Sequence, residues 1–300
     1  MTVLQIHEDQ PAPVAAKKPA GILRSTLGTP KGRIGAILLG SVVLLAILGP
    51  WLTSVDPEEL VGIPFDPPGA DGLLFGTDYL GHDTLSRFLH GGRAIMVLAA
   101  ISALLGVGLG TALGLVAAYM KGTVGSIVMR ALDVLLCFPA LVLTLLVASM
   151  IGTSLPLVCI VVALSHVPRT ARVIYASALQ LSEREFVVYA EMIGASRFGV
   201  MLRELLPNLA GLVALELGLR ATWSIGIVAS LSFIGLGVQP PAADWGLMIN
   251  ENQPGLLLQP WPVLLPVAAI CIATIGANLF TDAFSQKTAG VSRTITSGGE

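Results

Sequence analysis

Charge is scarce in this sequence. Of its 300 residues only 12% are Asp, Glu, Lys or Arg, about half of the roughly 25% usual in soluble domains. With 54% hydrophobic residues and a mean hydropathy of +0.81, the chain has too little polar surface to cover itself in water, and its apolar stretches leave no room for a separate soluble domain of ordinary size. Lys and Arg number 17 against 19 acids, a net charge of -2, so no basic field marks a nucleic-acid partner. Cysteine is rarer still. Cys137, Cys159 and Cys271 sit in apolar runs without a CxxC spacing, which argues against a disulfide framework or a thiolate metal site and for small buried hydrophobes. A phosphate-binding G-x-x-x-x-G-K-[ST] is missing as well: Lys287-Thr288 comes nearest and lacks the glycines. No HExxH, GxSxG or paired-acid constellation appears, so no catalytic residue, metal or cofactor is assigned to this chain. If ATP drives it, ATP and its Mg are bound elsewhere.

What is present is a set of apolar runs long enough to cross a bilayer, at 34–52, 94–120, 127–151, 155–174, 209–238 and 261–280. The fold class is therefore all-α, a polytopic membrane bundle of about six transmembrane helices. The fourth run is the least regular, because it holds His166, Pro168 and Arg169 and has Pro156 near its start. Residues 1–33, Pro/Ala-rich and polar, read as a disordered cytoplasmic tail. The first apolar run begins too late for a cleavable signal peptide. Residues 34–285 form the membrane domain and 286–300 a second tail.

Positive charge sets the orientation. Lys17, Lys18, Arg24, Lys31 and Arg33 precede the first run, Lys121 and Arg130 follow the second, and Arg172, Arg184, Arg197 and Arg203 surround the segment after the fourth. Lys287 and Arg293 lie in the last tail, whereas 244–259 holds no Lys or Arg. The alternation places both termini in the cytoplasm and the segment 54–93, rich in Asp and Glu, outside. Within that external segment, Leu85, Phe88 and Leu89 share one helical face, which predicts a short interfacial helix over 83–90. Gly106, Gly110 and Gly114 recur four apart, with Gly108 between them. They let another helix approach closely, either within the bundle or across a dimer.

The segment 180–208 is much longer than a connection requires, and it is polar. It reads as a short helix (183–193), a turn at Gly194, Ala195 and Ser196, and a second amphipathic helix ending at Pro207. A helix pair projecting into the cytoplasm would offer a docking surface to a soluble partner. Within the spans, Glu216 and Arg220 lie four apart and can pair on one helical face, either as a mutually neutralised structural pair or along a translocation path. Trp223 sits deeper than the other tryptophans and can line a cavity. Asp133 beside Arg130 reads as an interhelical contact and His166 as a hydrogen-bonded packing residue.

The run Tyr189-Ala190-Glu191-Met192-Ile193-Gly194-Ala195-Ser196, followed by Leu206-Pro207-Asn208, resembles the "EAA" loop of ABC-importer permeases. Phe75 to Arg87 and the stretch Ser232 to Pro241 continuing to Trp245-Gly246 are similar to the second, C-type permease of dipeptide, oligopeptide and nickel importers, a likeness running over 34–289. The resemblance implies a prokaryotic plasma-membrane permease subunit for short peptides or a related small solute. It implies a second permease subunit as heterodimer partner, two cytoplasmic ATP-binding subunits and an extracytoplasmic substrate-binding protein, in a setting of membrane lipid. It also implies a coupling helix in the loop, with Glu185, Tyr189, Ala190, Glu191, Gly194, Ala195, Ser196 and Pro207 as coupling residues. Val188 and Tyr189 stand where the family usually has Glu and Ala, so the acidic role there falls to Glu191 or Glu185. A secondary transporter driven by an ion gradient is the alternative, since such proteins also carry Gly/Pro-interrupted helices and midplane charges such as Glu216. Its inverted repeat is not visible in the sequence.

Overall fold

The computed structural model describes residues 19–120, 122–152 and 154–296. Among these the chain is helical, with only two isolated β-bridges, Leu60 with His82 and Thr77 with Asp83. Hydrocarbon offers no hydrogen-bond partners, so a segment that crosses it must satisfy its backbone internally, as a helix does. Helix α1 (Pro19–Leu27) turns into α2 (Pro30–Leu48) at Thr29, whose side chain accepts from the Gly32 amide while Pro30 takes the first helical position. The tail was expected to be disordered through residue 33. Residues 1–18 lie outside the described residues, while 19–27 are helical and packed against the last helix, and 30–33 belong to α2.

Helix α3 (Thr84–Tyr119) is 36 residues long. It absorbs the interfacial helix expected at 83–90: Asp83 caps it, its carboxylate accepting from the Leu85 and Ser86 amides, and no break follows. Leu89 is buried and Phe88 packs on the core, so the apolar face seen in the sequence meets protein rather than lipid. The expected third span, 127–151, is instead two helices, α4 (Gly122–Leu136) and α5 (Ala140–Ile151), bent by 82°. The break falls at Pro139, which cannot donate to a preceding turn and forces the residue before it out of helical geometry. Helix α6 (Leu155–Ser182) keeps Pro168 inside it.

The loop helix α7 (Glu185–Met192) is followed by α8 (Arg197–Val200), a π-type turn at Met201–Leu205 and α9 (Leu206–Phe233). Residues Arg197–Phe233 therefore act as one long crossing helix, and the second loop helix does not stop at Pro207 as the sequence suggested. Pro207 sits in the first turn after the widened π turn, where its missing N–H leaves no acceptor stranded. Helix α10 (Trp245–Asn252) forms part of the end opposite the loop, and α11 (Trp261–Thr296) carries helix well past residue 285; residues 297–300 lie outside the described residues. By length and composition five helices can cross a membrane, and six if α4 and α5 count as one broken span.

Glycines decide the packing. A side chain on Gly106, Gly110 or Gly114 would collide with Ala163 and His166, with Val167 and Thr170, or with Ala171 and Ile174 of α6, whereas Gly108 faces open space. The four-residue repeat is thus an intrachain seam between α3 and α6. Gly35 of α2 and Gly276 of α11 meet in the same way. Three apolar cores result among the described residues, the smallest formed by Leu132, Val167 and Ala171. Of the two larger ones, the first, toward the end opposite the loop, gathers Ile95, Val162, Val228, Leu231, Trp245 and Met248; the second, beneath the loop, gathers Leu115, Ile174, Val187, Val200, Leu205 and Leu209.

Candidate functional site

The loop between α6 and α9 is built from a helix end and a helix start. The Ala195 amide donates to the Ala190 carbonyl and the Gly194 amide to the Glu191 carbonyl, both at 3.0 Å, with Gly194 at φ +82°. This is a left-handed helix stop of the kind only glycine adopts without strain. Ser196 then starts α8, its Oγ accepting from the Gly199 amide at 3.1 Å. Val187, Ala190 and Val200 point into the inner core and fix the loop to α3, α6 and α9. The opposite surface is apolar and bare. Tyr189 is 66% exposed, Met192 79%, Ile193 67% and Phe198 67%, beside exposed Glu185, Gly194, Ala195 and Ser196.

Of the residues singled out in the sequence, Tyr189, Gly194, Ala195 and Ser196 come together on this bare surface, with Glu185 at the start of α7. Ala190 turns inward and Pro207 lies apart, exposed inside the long helix. Glu191 does not project freely: its Oε1 accepts from the Tyr119 hydroxyl at 2.5 Å, tying α7 to the end of α3. Tyr119 carried no sequence signal, because its partner lies 72 residues away.

A second constellation lies in the bundle, where α6 and α9 are joined by polar contacts. His166 Nε2 and Ser224 Oγ are 2.8 Å apart, the Thr170 hydroxyl donates to Glu216 Oε2 at 3.0 Å, and Arg220 donates to the same oxygen from Nε at 3.1 Å and NH2 at 3.0 Å. Glu216 and Arg220 are buried and satisfied. They neutralise one another and lock the rotation of the two helices. Asp133 pairs with Arg172 of α6 rather than with Arg130. Trp223, one turn beyond Arg220, is 56% exposed and lines a partly open cavity of about 460 Å³ with Leu141, Thr222, Gly226, Ile227, Ser230, Thr274 and Asn278. That volume falls within the roughly 300–1,000 Å³ of ordinary small-molecule sites. Glu216 and Arg220 are absent from its lining.

The end opposite the loop, expected to face outward, is a clamp between the segment 54–83 and α10. Asp78 accepts the amides of Leu80, Gly81 and His82. Arg87 lies 3.4 Å from both Asp78 and Glu251, and the Tyr79 hydroxyl donates to Glu251 at 3.0 Å. Burial, with the Glu251 carboxylate beside it, pushes the Tyr79 phenol up to about 12, so it remains a donor. Burial also raises Glu251, against the opposing pull of Arg87. The Asp244 carboxyl, which caps α10 through the Gly246 and Leu247 amides, is pushed up to about 6 by burial. Trp245 stacks on Phe88 and donates to its carbonyl, and fills space against Gly91 and Gly92 where no side chain fits. Among the described residues no group of three or more His, Cys, Asp or Glu is placed to hold a metal ion.

Residues 110–290 match the family described as binding-protein-dependent transport system inner membrane component. The chain is similar to a peptide transport system permease protein of Brucella suis, at 36% identity over 83% of this chain and 84% of the relative. It is also similar to the glutathione transport system permease protein GsiD of Pectobacterium atrosepticum, at 35% over 69% of each, and to that of Escherichia coli, at 33% over 82% of each.

Proposed function

Since the chain belongs to the binding-protein-dependent transport system inner membrane component family, and is thus a multi-pass ABC-importer permease rather than an enzyme, we propose that it forms one half of the path for a short peptide or a related small solute. The peptide and glutathione permeases among its relatives support that class of solute. The other half is a second permease subunit covering the open side of the cavity at Trp223. A substrate-binding protein docks on the outer clamp, and two cytoplasmic ATP-binding subunits bind below. Both termini and the loop then face the cytoplasm, as the distribution of Lys and Arg requires.

The observation that carries this reading is the loop surface. Tyr189, Met192, Ile193 and Phe198 are large, apolar and uncovered on a segment too polar to enter lipid, and exposed apolar surface of this kind marks a protein partner. The loop is also mechanically joined to the bundle, through Val187, Val200 and Leu205 in the inner core and through the Tyr119–Glu191 bond. A push on α7 by a closing ATPase is therefore passed to α3, α6 and α9, which biases the permease between its inward-open and outward-open states. Reconstitution with the partner permease, ATP-binding subunits and binding protein tests the assignment. Loaded binding protein accelerates ATP hydrolysis in the wild type and fails to do so when Tyr189 and Ile193 are both changed to Ser. Uptake that collapses when the proton gradient is dissipated at constant ATP would overturn it in favour of an ion-driven carrier.

A further inference from the structure

We propose that Arg169, backed by the Trp223 ring, is an anion subsite on the solute path that receives the carboxylate of a short peptide; this rests on the importer reading above. Arg169 lies in the middle of α6, about 21 Å from its first residue along a helix of about 42 Å at 1.5 Å per residue. It is exposed, and no carboxylate pairs with it among the described residues. Its neighbours are otherwise engaged: Arg172 pairs with Asp133, Arg220 with Glu216, and Thr170 donates to Glu216. An unpaired guanidinium is costly against hydrocarbon, which favours a place where it meets water or an anion.

The seam between α6 and α9 sets where it faces. His166 and Thr170 are both turned toward α9 by their bonds to Ser224 and Glu216, and Arg169 is carried to the flank of that contact, its Cζ 6.0 Å from the centroid of the Trp223 ring. Trp223 is itself a wall of the cavity, whose other polar groups are the hydroxyls of Thr222, Ser230 and Thr274 and the Asn278 amide. No charged side chain lines that cavity. The hydroxyls and amide suit the peptide groups of a solute, and the guanidinium against the Trp223 wall supplies the positive charge for its terminal carboxylate. Attraction to the ring face holds the guanidinium in place, and the planar fork of N–H donors matches a carboxylate two bonds at a time.

The complete importer, with partner permease, ATP-binding subunits and binding protein in liposomes, is supplied with trialanine or with trialanine amide, and uptake of each is measured for wild type, R169Q and R169K. Wild type takes up the free acid faster than the amide. R169Q lowers the acid-to-amide ratio by about tenfold or more, the value of one charge-assisted hydrogen-bonded contact, with the loss falling on the acid, and R169K lies between. The same binding protein serves all three, so a change in ratio belongs to the permease. An unchanged ratio, an equal slowing of both peptides in R169Q, or R169Q and R169K complexes that lose the partner permease on purification would overturn the proposal, the last by showing that Arg169 pairs with an acid of that subunit. Equal wild-type uptake of acid and amide sinks the anion subsite alone; wild-type uptake of neither peptide sinks the importer reading and the subsite with it.

Discussion

At the outer end of the molecule charged side chains are buried, and at the inner end apolar ones are exposed. Asp78 and Arg87 are 0% and 2% exposed, held with Glu251 and Tyr79 in one network between the segment 54–83 and α10. Met192 and Ile193 are 79% and 67% exposed on the loop, which is otherwise just as firmly seated. A buried network of ion pairs and hydrogen bonds costs much to disturb and fixes one geometry. A bare apolar surface on a rigid support costs little to change and waits for a partner. In one place this chain supplies the partners of its own buried charges; in the other it leaves an apolar surface uncovered.

The contrast can be broken most directly at Arg87. Replacing it by Ala strands Asp78 and Glu251 as buried charges, an expected loss of about 3–5 kcal/mol, read as a lowered unfolding temperature of the detergent-solubilised protein. An R87A protein as stable as wild type would show that the outer network is not a clamp. At the inner end the expectation reverses: Ile193→Ser changes stability by less than about 0.5 kcal/mol, yet it lowers ATPase stimulation in the assembled importer by about tenfold. Between these extremes lies Gly194→Ala, whose φ of +82° has open space around it. The strain there is conformational alone, about 1 kcal/mol, and it falls on loop geometry rather than on the bundle.

A further expectation concerns pH dependence and sharpens the outer half. Burial raises Asp244 from 3.8 to about 6. The folded state therefore holds its proton more tightly than the unfolded one, and this group favours folding most below about pH 4 and least above about pH 6. Thermal unfolding followed across that window rises in temperature on the acid side for the wild type, and Asp244→Asn flattens this component.

Much of this architecture was legible in advance because it depends on local chemistry. Apolar runs, the glycine repeat and the polar insert all announce themselves in contiguous residues. The errors came where a neighbour overrode the local signal. The face of Leu85, Phe88 and Leu89 was real, but it was covered by the outer core instead of lipid, so the helix ran on into α3. Pro207 looked like a stop, and a π turn just before it let the helix continue. Pro139 looked unremarkable in an apolar run and broke it. Glu191 was legible as an acid of the loop, while its bond to Tyr119 was not, since the two lie 72 residues apart and nothing between them encodes it.

By itself the sequence determined that the chain lives in a membrane, roughly where it crosses, and that a polar insert separates its fourth and fifth apolar runs, because a helix in hydrocarbon satisfies its own backbone and needs no distant partner to do so. Only the tertiary structure decided which side of each helix meets which neighbour. That is how Glu216 and Arg220 came to be sealed between α6 and α9 while Trp223 was left lining an open cavity, with Arg169 against its ring. Helix rotation is set by the packing of facing surfaces, through close glycine approaches and a few interhelical hydrogen bonds, and those depend on residues far apart in the chain.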